Sequence, residues 1–412
     1  MEIYDSKYFI HNKRFQMALG VWPYQNRVKN LSICGVLLLV MFGMLIPQLL
    51  RLRTYLGKDI DKTMENVFIL LYTFGIYIKL FTAHIAENKM KILYESTAKN
   101  FETYTDEAEK KIMKQYSERG RLITLAFLLY MVSALILFVL LPLYPIIMDA
   151  TIPLDVPRPR MSVLNGDYLV DENDYYFQIY VFDSIACTLT VFIMCSTDPM
   201  YAAIVEHCLG LIKNNTKSYI TQSSSNEKAR VFRYRLKNFN KSCGMRMVER
   251  ADAQRYGGDY AYAALVKAIL LHKEILKYTQ IIQTSYSLYF LLEMGATVGI
   301  LTATSVIIVM KLHRPLDCLR YFLVLIGIMG HMFYLTWPGQ KLIDFSGDIF
   351  QDTYLNDWYK SSLKCQNLLR FMTLRCSRPC ELSGGGLYVM NFINFAAILK
   401  SSASYITVFS SV

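Results

Sequence analysis

Lysine and arginine are almost missing from seven stretches of this 412-residue chain, 31–50, 67–85, 122–148, 177–209, 281–310, 321–338 and 387–409, and these stretches are predominantly apolar. Most reach the ~20 residues that cross a hydrocarbon core; the second and sixth are shorter or broken by polar residues. With 53% hydrophobic residues, the chain has room for one polytopic membrane domain and for no soluble catalytic domain beside it. Ahead of the first stretch there is no short apolar core followed by a small-residue cleavage site. A removable signal peptide is therefore not expected, and the first span acts as its own insertion signal.

Cysteine is absent from the first two predicted outer segments, and the nine present (Cys34, Cys187, Cys195, Cys208, Cys243, Cys318, Cys365, Cys376 and Cys380) make an odd count. No disulfide framework follows from this. Cys376 and Cys380 have no His or second Cys pair near them in sequence, the pattern of free cytosolic thiols rather than of a zinc site. A Gly-rich phosphate loop, a metal-spaced His cluster and a nucleophile with a base partner are all missing, so neither an enzyme nor a cofactor or metal is expected. The net charge of +11 does not form one basic stripe. It lines membrane-adjacent segments, which points to anionic inner-leaflet lipid and away from nucleic acid.

What is present is an alternation. Of the 44 basic residues, 33 lie in the first 30 residues and in 89–121, 213–277 and 341–378, whereas the intervening segments hold only eight: Arg51, Arg53, Lys58, Lys62, Arg158, Arg160, Lys311 and Arg314. Cytoplasmic flanks retain Lys and Arg, so the amino terminus is expected in the cytosol and, after seven crossings, the carboxyl terminus outside. Sequons at Asn30, Asn214 and Asn240 then fall on the inner side and are expected to stay unmodified.

Helical periodicity does not stop at the inner membrane surface. From about Tyr260 through Leu265, Ile269, Leu270 and Leu276 the sequence reads as helix leading into the fifth span, with Lys267, Lys273, Glu274 and Lys277 on its wet face. The fourth span runs past His207 toward Asn214, and the sixth runs past Gly339 and Gln340 toward Trp358. These overlong helices predict a cytosolic helical bundle. A flexible surface turn is expected at 221–226, with Ser223, Ser224 and Ser225. Arg378, Pro379, Ser383, Gly384, Gly385 and Gly386 forbid a continuous helix into the last span.

At 100° per residue, the last span brings Asn394, Lys400, Ser401, Ser404, Thr407 and Ser411 to one side, with Ala397 and Val408 among them, and sets Phe392, Phe395, Ile406 and Phe409 opposite. Small polar residues in a span serve close helix packing as well as conduction, and the residues alone leave both open.

The last 75 residues carry a resemblance. Glu381-Leu382-Ser383-Gly384-Gly385-Gly386-Leu387, then Met390-Asn391, Phe395, Ile398-Leu399-Lys400 and Ser404-Tyr405-Ile406-Thr407-Val408-Phe409 resembles the closing signature of insect odorant receptors. Gly339-Gln340, Ser346, Trp358-Tyr359 and Pro379 look like that family's preceding region, and Asp198 with Met200-Tyr201 and His207 is similar to its fourth-span pattern. Tyr8-Phe9, Asn12, Arg14, Gly20 and Trp22-Pro23 look like the amino-terminal arm of ant, bee and wasp members. The resemblance implies an all-α fold of seven transmembrane helices with a cytosolic amino terminus and extracellular carboxyl terminus. It also implies a four-subunit ligand-gated cation channel whose last helix lines the pore, with inner helix extensions forming a cytosolic anchor. Under it, Ser404, Thr407, Val408 and Ser411 are the expected pore and gate residues, Val408 or its neighbours forming an apolar constriction.

The implied divisions are a cytosolic arm at 1–30, spans one to four at 31–210, a cytosolic helical segment at 211–280, spans five and six at 281–338, an anchor segment at 339–386 and the pore helix at 387–412. The family's co-receptor carries a longer insertion between the fourth and fifth spans. Its shortness here implies an odorant-tuning subunit that works in a heterotetramer with the co-receptor, in the dendritic plasma membrane of olfactory sensory neurons. Related gustatory receptors end with Tyr, Gln and Phe; Tyr405 is present, but no Gln follows. A G-protein-coupled receptor would have its amino terminus outside, Asp-Arg-Tyr after span three and Asn-Pro in span seven, and this chain has neither motif.

In the inside-first topology the outer halves of the spans hold Tyr72, Phe74, Phe138, Phe182, Ile185, Thr190, Met294, Thr297, Thr302, Tyr321 and Phe322. Aromatic walls with an occasional hydroxyl suit a small volatile, which shape and dispersion bind and one polar group orients, although each residue also fits ordinary core packing. Ionisable groups inside a membrane are functional candidates by default. Glu293 reads as an interhelical hydrogen-bonding group or a ligand or gating residue, and Asp183 as a solvated outer-leaflet site or one with such a role. Glu293, Asp183 and Lys79 also fit a transporter's coupling-ion path, for which paired unwound helices would be needed, and none is seen. Lys79, His84 and Lys400 read as span-end or polar-flanked groups whose lysines snorkel, and Asp198 and His207 as cytosolic packing residues.

Overall fold

The structure, a computed structural model, describes residues 2–104, 106–156, 158–223, 260–354, 359 and 362–410. The described residues are 82% helical. In order it forms a short 3-10 turn at Glu2–Asp5 and α1 (Ile10–Leu19), then α2 (Arg27–Tyr55), α3 (Ile60–Ile85), α4 (Glu87–Thr103), α5 (Glu107–Leu140) and α6 (Tyr144–Thr151). There follow α7 (Tyr176–Ser223), α8 (Tyr260–Met310), α9 (Pro315–Tyr354), α10 (Leu363–Cys376), a hairpin of β1 (Ser383–Gly384) and β2 (Tyr388–Val389), and α11 (Phe392–Ser410). Six helices among the described residues are long and apolar enough to cross a membrane, and α11, of 19 residues, corresponds to the seventh apolar stretch.

Local chemistry sets where these helices begin. Asn26 and Asp59 cap α2 and α3 by accepting from the backbone N–H of Val28 and Lys62, and Ser362 caps α10 through Cys365. Asn391 accepts from Asn394 N at 2.8 Å to start α11. Such caps recover N–H groups that the first turn leaves without an intrahelical acceptor. Serine and threonine hydroxyls inside the bundle donate to the carbonyl four residues back, as at Thr82, Thr124, Thr304, Ser305 and Thr336. A polar side chain is thereby satisfied within its own helix where water is excluded.

The outer surface is inverted relative to a soluble protein. Leu31, Val36, Leu39, Leu129 and Leu137 are exposed, whereas Asn66, Lys79, Asp198 and His207 are buried. Apolar exposure on this scale requires lipid around it. Helices α5 and α7 pack backbone to backbone, since a side chain on Gly120 would come within 3.2 Å of Ala203 Cα; small residues permit this approach where no hydrophobic force drives helices together.

Helices α7, α8 and α9 hold 48, 51 and 40 residues. At 1.5 Å per residue they run roughly 60–77 Å, about twice the hydrocarbon core or more. The surplus gathers at the end of the bundle that carries α1, α4, α10 and the hairpin, where Tyr278 meets Thr97 (2.7 Å), Lys341 meets Glu206 (2.7 Å) and Cys380 N donates to Ser346 Oγ (2.8 Å). The arm fills the same end: Tyr4, Phe9 and Trp22 are buried, Tyr4 and Trp22 pack on Tyr94 and Phe9 on Phe101. The sequons at Asn30 and Asn214 are structural side chains here, donating to the carbonyls of Trp22 and Glu109; Asn240 lies outside the described residues, as do Cys243 and Trp358.

The hairpin is clipped to two spans. Gln283 of α8 donates to Ser383 O (2.9 Å) and accepts from Ser383 N (2.7 Å), and Ser287 accepts from Gly385 N (3.0 Å). On α9, Gln340 accepts from Phe392 N at 3.0 Å. Gly385 and Gly386 take φ of +59° and +73°, the left-handed turn that glycine adopts without strain. A Cβ on Gly384 would lie 2.6 Å from Leu291 N, and one on Gly339 would lie 2.3 Å from Met390 O. Both obstacles are backbone, so nothing flexible can yield. Gly339→Ala and Gly384→Ala should each cost about 1–3 kcal/mol and lower the Tm of the detergent-purified protein, whereas Gly347→Ala, with open space around it, should leave the Tm unchanged or slightly higher.

Candidate functional site

Four spans meet in a buried polar cluster. Lys79 of α3 is 1% exposed and Asp198 of α7 is 0% exposed. Lys79 Nζ lies 3.0 and 3.1 Å from the two Asp198 oxygens, 3.1 Å from Glu293 Oε1 and 2.6 Å from the Tyr289 hydroxyl, the last two on α8. Tyr289 donates to Asp198 Oδ1 at 2.7 Å and Thr197 to the same oxygen at 3.0 Å. His331 of α9 brings Nε2 to 2.8 Å from Asp198 Oδ2 and Nδ1 to 4.0 Å from Glu293 Oε1. An ion taken from water into this interior loses several kcal/mol of hydration, and only close, saturated pairing offsets that loss. Lys79 does not snorkel. Asp198 is a member of this interspan cluster and no part of the packing at the hairpin end; His207 does pack there, against Phe101 and Tyr278.

A second polar knot closes the opposite end. Residues 158–175, ahead of α7, turn inward and bury Val163, 1% exposed. Arg320 of α9 donates to Val163 O (2.7 Å), Gln48 of α2 donates to Leu164 O (3.0 Å) and Leu164 N donates to Asp183 Oδ2 of α7 (3.2 Å). Tyr168 also donates to Asp183, and Asn66 of α3 holds Gln48 through its Oε1 at 2.7 Å. Asp183 is thus a buried acceptor that seats the loop, not a solvated site. Glu65 of α3 pairs with Lys311, the residue after α8, with Asp317 3.6 Å from Lys311.

Between these knots the structure brings some of the sequence-selected ligand residues together and separates others. Tyr72 stacks on Phe68, which meets Tyr321 edge-on at 6.0 Å, and the Tyr72 hydroxyl lies 3.7 Å from Met194 Sδ. Met294 and Thr297 are buried on α8, and Thr190 is buried on α7. Phe138 carries the Arg320 guanidinium 5.2 Å above its ring, and Phe182 packs edge-on against Tyr168 under the loop. Phe74, Ile185 and Phe322 face outward, 58%, 54% and 50% exposed. The hydroxyls of Thr190, Thr297 and Thr302 donate to Ala186, Glu293 and Val298, which leaves only their lone pairs for another molecule.

The last helix meets its own chain on one side, where Phe392 stacks on Phe333 at 5.6 Å and Ser402 is buried. Ile393, Ala396, Ala397, Lys400, Ser401 and Ser404 are exposed and recur at helical spacing on the other side. Asn394 departs from the expected stripe: its backbone N–H donates to the Asn391 cap and its side-chain amide donates to Val389 O at 2.9 Å. Thr407 and Val408 fall on the backbone of α11, and Ser411 lies outside the described residues.

Sequence reasoning did not find His331, and it set Asp198 apart from Lys79 and Glu293, which it joined only in the transporter alternative. The available signal was that all four are ionisable residues inside predicted spans, where a charge needs a partner. It also missed that Cys376, remote in sequence from any His, lies 3.8 Å from His272 Nε2. Burial pushes the Cys376 thiol up to about 11, so it is a protonated, packed side chain. A cavity of about 310 Å³ nearby, bordered by Ile343, Phe350, Cys376 and Pro379, lies between α9 and α10, away from the ligand region.

The family model described as 7tm Odorant receptor matches residues 59–403. The chain belongs to the odorant receptor family. It is similar in fold to the insect olfactory receptor OR5 from Machilis hrabei, with a TM-score of 0.71 and 14% identity, covering 98% of this chain and 99% of that one. The OR5 structure in complex with eugenol matches with a TM-score of 0.70 over the same shares. No curated protein matches the chain. The receptor is therefore a multi-pass membrane protein of the receptor and channel class. Its Glu381–Asn391 signature forms the hairpin that joins the last helix to α8 and α9.

Gln48→Leu would remove the donor to Leu164 O and the acceptor of Asn66, at a cost of roughly 1–3 kcal/mol. Limited proteolysis should then cut the 158–175 segment faster than in the wild type; an unchanged cleavage rate would show that the loop does not depend on this bond.

Proposed function

We propose that this receptor is an odorant- or pheromone-tuning subunit of a heteromeric, odorant-gated nonselective cation channel, assembled with the family's co-receptor in the dendritic plasma membrane of olfactory sensory neurons. The observation that carries the reading is the exposed face of α11, small and polar from Ala396 to Ser404, on a helix whose other face is packed on its own bundle. In a tetramer around one axis, four such faces can enclose a water-filled path, with Ser404, Thr407, Val408 and Ser411 along it. The arm, the inner ends of α7 to α9, and α10 then form a cytosolic anchor, as the excess of basic residues on that side requires.

The ligand sits in the outer half of the bundle, between the cluster at Lys79 and the loop at Val163, bounded by Tyr72, Thr190, Met294, Thr297 and Tyr321. Of the other sequence-selected residues, Phe138, Phe182 and Thr302 border it more distantly, whereas Phe74, Ile185 and Phe322 face outward. Eugenol in the OR5 complex supports a small volatile as the ligand class. Opening requires the open state to bind the odorant better, with a differential affinity of a few kcal/mol. The hairpin gives that energy a route, because α11 starts where the chain is clipped to α8 and α9.

Two outcomes test this reading. Val408→Ser, by wetting an apolar constriction, should raise the current recorded without odorant from cells co-expressing the co-receptor; unaltered conductance, selectivity and gating across a scan of 400–412 would exclude the pore assignment. On intact cells an impermeant antibody should detect a tag after Val412 and miss one at Met1, and the reverse pattern would invert the topology.

A further inference from the structure

One atom of the central cluster has no partner. Glu293 Oε1 is engaged by Lys79 at 3.1 Å, while Glu293 Oε2 is buried and makes no hydrogen bond. Carboxylate oxygens are acceptors only, and an ionised one left bare in a dry interior loses its hydration without return. Natural structures leave few buried polar atoms unpaired, and each calls for an explanation, such as a water, an ion, strain or a role in function. The charges around it are also uneven: two carboxylates, Asp198 and Glu293, share one ammonium, Lys79, and one imidazole, His331.

The position of this oxygen gives it a use. Glu293 is 5% exposed, Met294 follows it, and Thr297 stands one turn along the same face of α8. Tyr72 stands two turns before Lys79 on α3, and its hydroxyl lies 3.7 Å from Met194 Sδ of α7. The Thr297 hydroxyl is committed to Glu293 O, so the neighbouring threonine does not supply the missing donor. Glu206 Oε2 is also bare, but it lies at the hairpin end beside Lys341, away from the ligand region.

We propose that Glu293 is the polar recognition residue of the odorant site and that it selects volatiles bearing a hydroxyl donor, alcohols or phenols, whose O–H completes Oε2. This rests on the channel reading above and adds the ligand's chemistry to it. A site built around an unpaired acceptor rejects an isostere lacking the donor, because the acceptor then stays bare.

The test uses the full-length receptor co-expressed with the co-receptor and matched pairs of volatiles: 1-hexanol with hexyl methyl ether, and 4-ethylphenol with 4-ethylanisole. Wild-type currents should need on the order of tenfold less of the hydroxyl member. Glu293→Gln, whose amide adds donors, should abolish or invert that preference while surface expression is retained. Should that variant fail to reach the surface, Glu293→Asp keeps the charge beside Lys79, withdraws the oxygen by one methylene and should also shrink the ratio. Equal potency of the paired volatiles on the wild type, or a hydroxyl preference that persists in a surface-expressed variant, overturns the assignment of Glu293 alone. Silence toward all four volatiles, with currents evoked by other odorants, overturns the inference and leaves the channel reading standing; absence of any odorant-evoked current across a broad volatile panel from cells displaying both subunits overturns both.

Discussion

The arrangement depends on a few charges kept away from water. Lys79, Asp198, Glu293 and His331 come from α3, α7, α8 and α9, and removing Lys79 would leave both carboxylates without their ammonium in the interior. Between apolar helices in lipid there is little hydrophobic force to choose one rotation or depth over another. The ion cluster makes that choice, since a shift of one turn, about 5.4 Å, would break every short contact in it. The knot of Gln48, Asn66, Asp183 and Arg320 fixes the far end of the same helices and closes the bundle over Val163 and Leu164.

The region between the two knots and the last helix share structural members. Helix α8 carries Glu293 of the cluster and, ten and six residues earlier, Gln283 and Ser287 that hold the hairpin. Helix α9 carries His331 and, nine residues later, Gln340 that caps the first turn of α11. A rotation of either span at the cluster is therefore passed to the start of the last helix through hydrogen bonds and the Gly384 and Gly339 contacts, with no long flexible linker between. Under the proposed function, this continuity names α8, α9 and the hairpin as the elements through which binding would reach the last helix.

Much of the architecture was legible in the sequence because exclusion of charge from lipid acts on every residue of a span. The runs poor in Lys and Arg located the spanning helices, and Pro379 with the three glycines marked the break before α11. The runs did not mark helix ends: α7 continues 14 residues past Leu209 and α8 begins 21 residues before Ile281, since an apolar run records where lipid stops and not where helical hydrogen bonding stops. The seventh run starts at Leu387, yet Tyr388 and Val389 are paired as a strand and the helix waits for the Asn391 cap. The site was read less fully. Aromatic side chains such as Phe74 and Phe322 are at home facing lipid as well as a pocket, so their presence in an outer half did not fix their direction. The pairing of residues 79, 198, 293 and 331 spans separations that no local pattern records.

The most direct test of the account is a double-mutant cycle on Lys79 and Asp198, read as the unfolding stability of the detergent-purified receptor with Lys79→Met, Asp198→Asn and both changes. If the buried pair fixes the spans, each single change strands charge and the two should couple by about 2 kcal/mol or more. Additivity within about 0.5 kcal/mol would mean that the cluster is incidental to the bundle, and would contradict the account.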